Sequence, residues 1–287
     1  MTIRSFELLE PHSLPEASGL LTEYGDDARV IGGGTTLVIL MKQRALHYPY
    51  LIDLRLIPGL SEMKREPDGL CIGAMVSHRT IETSPLIREK FPILAEAFRH
   101  IGNVRVRQTA SVGGNLAHAD YRLDPPPALL VLNADVTLYG PEGSRKLALK
   151  DFFRGMYETA LEPGEILVDV KIPIMPANSR AGYLRFGTLS ANDWPCLGVA
   201  GLLIKENGRC KELRLALGGV AATPLLVTGL EFAANQVLDQ AVIEKVQNTV
   251  DAQISPSSDF RGSEWYKRRM ARLFVNKTID QLNSAAA

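Results

Sequence analysis

Two glycine-rich stretches carry residue types that can hold an anion. The first runs Arg29-Val30-Ile31-Gly32-Gly33-Gly34-Thr35-Thr36-Leu37 and continues apolar to Leu40. Glycine has no side chain to keep a ligand away and tolerates positive φ, so successive N–H groups can curl toward one point. Thr35 and Thr36 add hydroxyl donors. A helix starting near Leu37 aims its unpaired N–H groups at the same place, which suits a phosphate. Taken alone, the stretch fits equally a flexible turn between strand and helix.

The second stretch, Thr109-Ala110-Ser111-Val112-Gly113-Gly114-Asn115-Leu116, repeats the chemistry with paired glycines, a hydroxyl and an amide. Two anion-cradling loops suit a diphosphate better than a lone phosphate. Neither has G-x-G-x-x-G spacing and no G-x-x-x-x-G-K-[ST] occurs, which disfavours a plain Rossmann dehydrogenase or a P-loop NTPase. Other candidates have plainer readings. His118 and Asp120 have no third metal ligand in view, so loop hydrogen bonding is preferred. Asp124, before Pro125-Pro126-Pro127, reads first as a helix N-cap; its functional alternative is a contact to ribose or adenine. Arg105 and Arg107 read as one face of an alternating strand, either solvated or turned to phosphate. Trp194 is a core tryptophan or a flat ring over a cofactor.

The elements that position these residues follow from pattern. Ser13-Leu14-Pro15-Glu16 is a capping box that opens a helix ending at Gly25. Val30-Ile31 and Tyr50 to Leu54 read as strands of a small βαβ-like lobe that ends near residue 57. A hairpin turns at Pro67-Asp68-Gly69; Gly73-Ala74 then leads into Ser77-His78, and the small residues there let a ligand approach. Phe91 to Ile101 is an amphipathic helix. Ala134 to Tyr139 and Arg145 to Leu149 form a hairpin, and Glu165 to Ile172 alternates as a strand with one buried face. Pro176 to Ser179 is a linker. Beyond it three strands (183–186, 197–204 and 212–217, the last two joined at Asn207-Gly208) and two helices (241–250 and 263–282) make an α+β layer. The closing Ala285-Ala286-Ala287 is expected to fray.

Composition narrows the classes. The 32 Lys plus Arg balance 32 Asp plus Glu, so nothing marks a nucleic-acid partner. No apolar run approaches the roughly 20 residues of a membrane span. The N-terminus lacks the apolar core of a secretory signal, and the chain reads as cytoplasmic. Cys71, Cys196 and Cys210 are scattered and read as buried thiols. They are too few for an iron–sulfur cluster, which takes about four.

With both glycine loops in hand the sequence resembles the FAD-binding medium subunits of the molybdenum hydroxylases, over essentially the whole chain. The marks, in order, are Gly32 to Leu37, Leu51-Ile52-Asp53-Leu54, Ile72-Gly73-Ala74, Ser111-Val112-Gly113-Gly114-Asn115, Asp120 and Asp124. Glu162-Pro163-Gly164-Glu165-Ile166-Leu167, Ile172-Pro173 and the run Asp259 to Lys267 complete the series. The resemblance implies an α+β chain: a two-lobed FAD-binding domain of vanillyl-alcohol-oxidase type over residues 1–176 (lobes about 1–57 and 58–176), then a smaller α+β domain over 177–287. It implies that Gly32, Gly33, Gly34, Thr35 and Thr36 wrap the FAD diphosphate, with Ile31 and Leu37 also among the cofactor-binding residues. Ser111, Gly113, Gly114 and Asn115 complete that cradle, and Ala74 and Ala110 are also among the cofactor-binding residues. Asp124 would contact the polar groups of the cofactor, Leu167 its adenine or flavin wall, and Ile101 a flavin face. Arg185 stands where many relatives carry lysine. Trp194 falls near an aromatic that covers the flavin in some members, in a loop one residue longer here. Relatives often carry arginine soon after position 185, where this chain has Thr188-Leu189, a departure that bears on the electron acceptor.

The implied role is electron transfer. Substrate is oxidised at a molybdenum cofactor in a large subunit, electrons pass through [2Fe-2S] clusters of a small subunit to FAD here, and an external acceptor takes them. The expected assembly is a dimer of heterotrimers, with no catalytic acid or base and no metal on this chain. A stand-alone flavin oxidase or dehydrogenase, and a non-catalytic nucleotide-binding assembly subunit, are the alternatives.

Overall fold

The computed structural model describes residues 3–284; the expected fraying of residues 285–287 lies outside them. The first lobe is a three-stranded parallel sheet with Tyr50–Asp53 between Glu7–Leu9 and Ala28–Ile31. Parallel strands need a crossover, and the helix Leu14–Tyr24 supplies one. Ser13 caps it by accepting the Glu16 N–H at 3.3 Å, while the Glu16 carboxylate reaches back to the His12 N–H at 2.8 Å. Ala17, Ala28, Ile52, Leu54 and Ile57 form the core of this lobe.

The second lobe is a five-stranded antiparallel sheet in the order Met63–Glu66, Gly69–Gly73, Ile166–Pro173, Asp135–Gly140, Gly143–Ala148. The expected alternation of its central strand holds, except for a bulge between Leu167 and Asp169 against Leu138 and Thr137. Short helices cover one face and join the largest core, with Ile93, Leu94, Phe98, Val112 and Leu129 against Ile72, Val136 and Val170.

One stretch takes a different form from the expected strand. Residues Val104–Thr109 are helical. The Asn103 side chain accepts the N–H groups of Arg105 and Val106, and the Asn103 carbonyl accepts the N–H of Arg107. A capped first turn outweighs a three-residue alternation. Arg107 pairs with Glu82 at 2.8 Å and caps the carbonyls of Ile101 and Gly102, so it is committed to the fold.

The third layer is an antiparallel sheet, Ser179–Phe186, Leu197–Glu206, Arg209–Gly218 and Leu225–Leu226. Asn207 and Gly208 both have positive φ (51° and 76°), as a two-residue hairpin turn requires. Its two faces are both buried. Tyr183, Ala200, Leu202 and Ala216 join the core of the second lobe. Val199, Leu203, Leu215 and Leu217 pack under the helices Gln240–Gln253 and Glu264–Ser284. This sheet is thereby locked against the lobe that carries the second glycine loop.

Candidate flavin site

The first glycine loop leaves the strand Ala28–Ile31 and enters the helix Leu37–Lys42. Gly34 takes φ +65°, which turns the chain, and its carbonyl accepts the Val38 N–H at 2.9 Å. Among the described residues, the N–H groups of Gly33 through Leu37 donate to no protein acceptor. All of these residues are only partly covered. A run of amides this long without protein partners suits anionic oxygens.

The second loop leans on the first. A Cβ at Gly33 would overlap the Thr109 carbonyl, and one at Gly32 would lie 2.6 Å from Ser111 Oγ. The two turns therefore converge, as the diphosphate reading requires. The second loop spends its own backbone differently. Val112 N–H donates to Val76 O at 3.0 Å, and Gly113 N–H to Ala74 O at 2.7 Å. Asn115 N–H donates to Ser111 O, and Gly114 N–H to Ser111 Oγ at 3.2 Å, with Ser111 as N-cap of the helix Val112–His118. Gly113 is small because Ala74 is packed against it; a Cβ there would meet Ala74 Cβ at 2.6 Å. The Asn115 side chain is 8% exposed and its Oδ1 has no partner. That orphaned acceptor suits a ligand hydroxyl or N–H.

His78 braces this loop from below. Its Nε2–H donates to Ser111 O at 3.0 Å and its ring meets Phe98 edge-on. Burial pushes its pKa down to about 4, against the pull of the Ser111 hydrogen bond and with help from Arg107. The ring is neutral at physiological pH.

Asp124 corrects the sequence reading. It stands at the start of the helix Pro125–Val131, yet its side chain makes no capping bond. Its backbone is already helical, and the three prolines leave the first turn few N–H groups to cap. The carboxylate instead accepts Tyr183 Oη–H at 2.6 Å and lies 3.3 Å from Arg185 Nε. Burial pushes this carboxyl up to about 6, opposed by Arg185 and Tyr183. Arg185 also donates to the Asp193 carbonyl, and its buried Nε has no hydrogen-bond partner. Period two along the strand Ser179–Phe186 puts Tyr183 and Arg185 on one face, a signal by which Tyr183 was legible.

Trp194 is 42% exposed, which removes the core-tryptophan reading. Leu167 is buried beside the bulge and Ile101 is half-buried against the main core. Asp120 is a loop-bonding residue, as expected: Arg122 takes both its oxygens. Among the described residues no group of three His, Cys, Asp or Glu side chains is placed to hold a metal ion. Cys196 and Cys210 are buried as expected, whereas Cys71 is only partly so. No helix of the described residues is long and apolar enough to cross a membrane.

Known proteins with this arrangement are numerous. Residues 4–175 match the FAD binding domain in molybdopterin dehydrogenase, and residues 184–282 match the CO dehydrogenase flavoprotein C-terminal domain. The carbon monoxide dehydrogenase medium chain of Afipia carboxidovorans is 32% identical over 98% of each chain. A solved carbon monoxide dehydrogenase from Hydrogenophaga pseudoflava superposes with a TM-score of 0.96 at 31% identity, covering all of both chains. Quinoline 2-oxidoreductase from Pseudomonas putida 86 gives 0.92 at 30% identity, covering 99% of this chain and 98% of that one. With unclaimed amides, an orphaned acceptor and two converging loops already fitting a diphosphate, the chain belongs to the FAD-binding medium subunits of the molybdenum hydroxylases.

Proposed function

We propose that this FAD-binding subunit is the electron-transfer member of a three-subunit complex. It would hold FAD between the [2Fe-2S] clusters of a small subunit and an external acceptor, while a large subunit oxidises substrate at its molybdenum cofactor. The complex is read as a cytoplasmic dimer of such heterotrimers. Bound FAD supplies the redox chemistry; the chain supplies position. The observation that carries this reading is the row of unpartnered amides from Gly33 to Leu37, in a turn whose Gly32 and Gly33 lie against Ser111 and Thr109.

In this reading Ile31 to Leu37 bind the diphosphate, and Ala74, Ala110, Ser111, Gly113, Gly114 and Asn115 form the wall behind it. Asn115 Oδ1 accepts from the cofactor. Ile101, Leu167 and Trp194 bound the ring system, while Asp124 and Arg185 meet its polar edge. The division at 176/177 is supported by the separate core under the two C-terminal helices. None of these groups moves a proton for substrate, which leaves the chain without an acid–base residue.

Co-expression with partner chains tests the assignment. The expected product is a complex in which iron–sulfur and molybdenum chains co-purify with this one, and substrate bleaches the flavin band at about 450 nm. Bleaching of the isolated chain by a small substrate would instead mark a stand-alone oxidase or dehydrogenase. A complex with no reducible flavin would mark an assembly subunit.

A further inference from the structure

Arg122 lies outside every motif that points to FAD, yet it is among the most tightly fixed side chains near the site. Its Nε donates to Asp120 Oδ1 at 2.9 Å and its Nη2 to Asp120 Oδ2 at 2.6 Å; its backbone N–H also reaches Asp120 Oδ1 at 2.9 Å. Nη2 lies a further 3.3 Å from Tyr157 Oη, which donates to Asp120 Oδ2. The Asp120 side chain is 2% exposed. Burial alone would raise that carboxyl, but the bonds from Arg122 outweigh it and hold it below the usual range. Tyr157 is held in turn. It sits at φ +62°, with its N–H on Ala119 O and its ring against His118.

A fork so fixed stands in a set place, and two aromatic rings lie close to it. The guanidinium carbon is 5.1 Å from the Tyr121 ring centroid and 5.5 Å from that of Trp194. Trp194 belongs to the 187–194 loop of the C-terminal layer, exposed except at half-covered Asp193, whereas Arg122 belongs to the FAD-binding part. The other side of that loop is tied by its own layer: Arg261 Nη2 reaches Asp193 Oδ1 at 2.9 Å, and Arg185 reaches the Asp193 carbonyl. The same Asp193 Oδ1 accepts the Trp194 N–H. The loop is therefore anchored to its own layer at Asp193, and to the FAD-binding part at the indole through Arg122.

We infer that Arg122 is a positioning residue that sets the Trp194 indole over the flavin and so governs how far an external acceptor can approach it. This rests on the reading that Trp194 covers the flavin. Without the cation the loop stays tied at Asp193 but the indole is free to swing outward.

Two readouts test this, in a Trp265→Phe background where Trp194 is the only indole. In the cofactor-free chain, Arg122→Ala should raise acrylamide quenching of Trp194 by roughly twofold, since one cationic face no longer shields the ring. In the FAD-loaded chain, an indole against the isoalloxazine quenches its emission. Arg122→Ala should raise that emission by about two- to fivefold, the population change expected for losing an exposed cation–π contact. Trp194→Leu should raise it at least as much, and the double variant no further. Arg122→Lys, which keeps a cation beside Asp120, covers the case in which alanine unfolds the loop and should give a smaller rise in both readouts. Unchanged Trp194 quenching in both Arg122 variants would overturn the inference whether or not flavin is bound. Unchanged flavin emission in Trp194→Leu would overturn it too, by removing the indole from the flavin. A chain that binds no FAD would instead defeat the functional reading itself, while the quenching readout still decides whether Arg122 holds the indole.

Discussion

In the first glycine turn the N–H groups from Gly33 to Leu37 meet no protein acceptor among the described residues; in the second, Val112, Gly113, Gly114 and Asn115 all donate within the protein. The two stretches have much the same composition, so composition did not decide this. Context did. The first turn links a strand to a helix across positive-φ Gly34 and is only partly covered. The second is stitched to Ala74 and Val76 and capped by Ser111. One turn leaves its backbone N–H groups without protein acceptors, and the other spends its own within the fold. Glycine is needed in both, for opposite reasons: at Gly33 so that the wall can approach, and at Gly113 so that the wall can pack on the sheet.

The largest expected effect follows from this contact. Gly33→Val drives a branched side chain into the Thr109 carbonyl, and the turn must move to relieve it. Overpacking of this kind costs about 3 kcal/mol, which corresponds to a loss of FAD affinity of about 100-fold or more. The C-terminal core shares no residue with the turn and should fold as before. Flavin absorbance after gel filtration, with circular dichroism, checks both halves. Flavin retained at native stoichiometry would remove Gly33 from the site and leave the two turns equivalent.

His78 sharpens the comparison because it serves only the wall. Its folded pKa is about 4, below the 6.5 of an ordinary histidine. Between those values the unfolded chain binds more protons than the folded one, so the contribution of His78 to stability is present above pH 6.5 and lost as pH falls toward 4. The span is worth about 3 kcal/mol. The stability difference between the native chain and His78→Asn, from urea unfolding, should therefore shrink by about that amount from pH 7 to pH 4. A difference independent of pH would mean that the ring titrates alike in both states, and that the wall is not braced through it.

What could be read in advance follows the same line. Local chemistry was legible: the Ser13 cap, the Asn207-Gly208 hairpin, the alternating strand at 166–173 and both glycine turns stand where their residues imply. The misreadings came from partners distant in sequence or from short patterns. The helix that follows Asp124 makes a cap of it on local grounds, but its carboxylate belongs to Tyr183, 59 positions later. Arg105-Val106-Arg107 alternates over only three residues, and the Asn103 cap overrides it. Trp194 left two readings open, because whether a loop tryptophan is buried depends on what the loop is tied to. The order of motifs revealed the family, whereas the division of labour between the turns needed the hydrogen bonds.

Ser111 stands where the two roles meet, and it should give the smallest effect of the three. Its Oγ caps the helix Val112–His118 through the Gly114 N–H, and it also lies nearest to Gly32 in the other turn. Ser111→Ala removes the cap, at about 1 kcal/mol. It also removes one hydroxyl from the cradle but leaves every amide of the first turn in place. FAD affinity should accordingly fall by no more than about tenfold, the equivalent of a single hydrogen bond. Ser111→Thr, which keeps an oxygen for the cap, should recover most of the stability. Urea unfolding of the cofactor-free chain and FAD titration of the folded chain separate the two contributions. If Ser111→Ala lost as much FAD affinity as Gly33→Val, the second turn would be binding the diphosphate on equal terms with the first, and its backbone bonds would no longer distinguish a wall from a cradle.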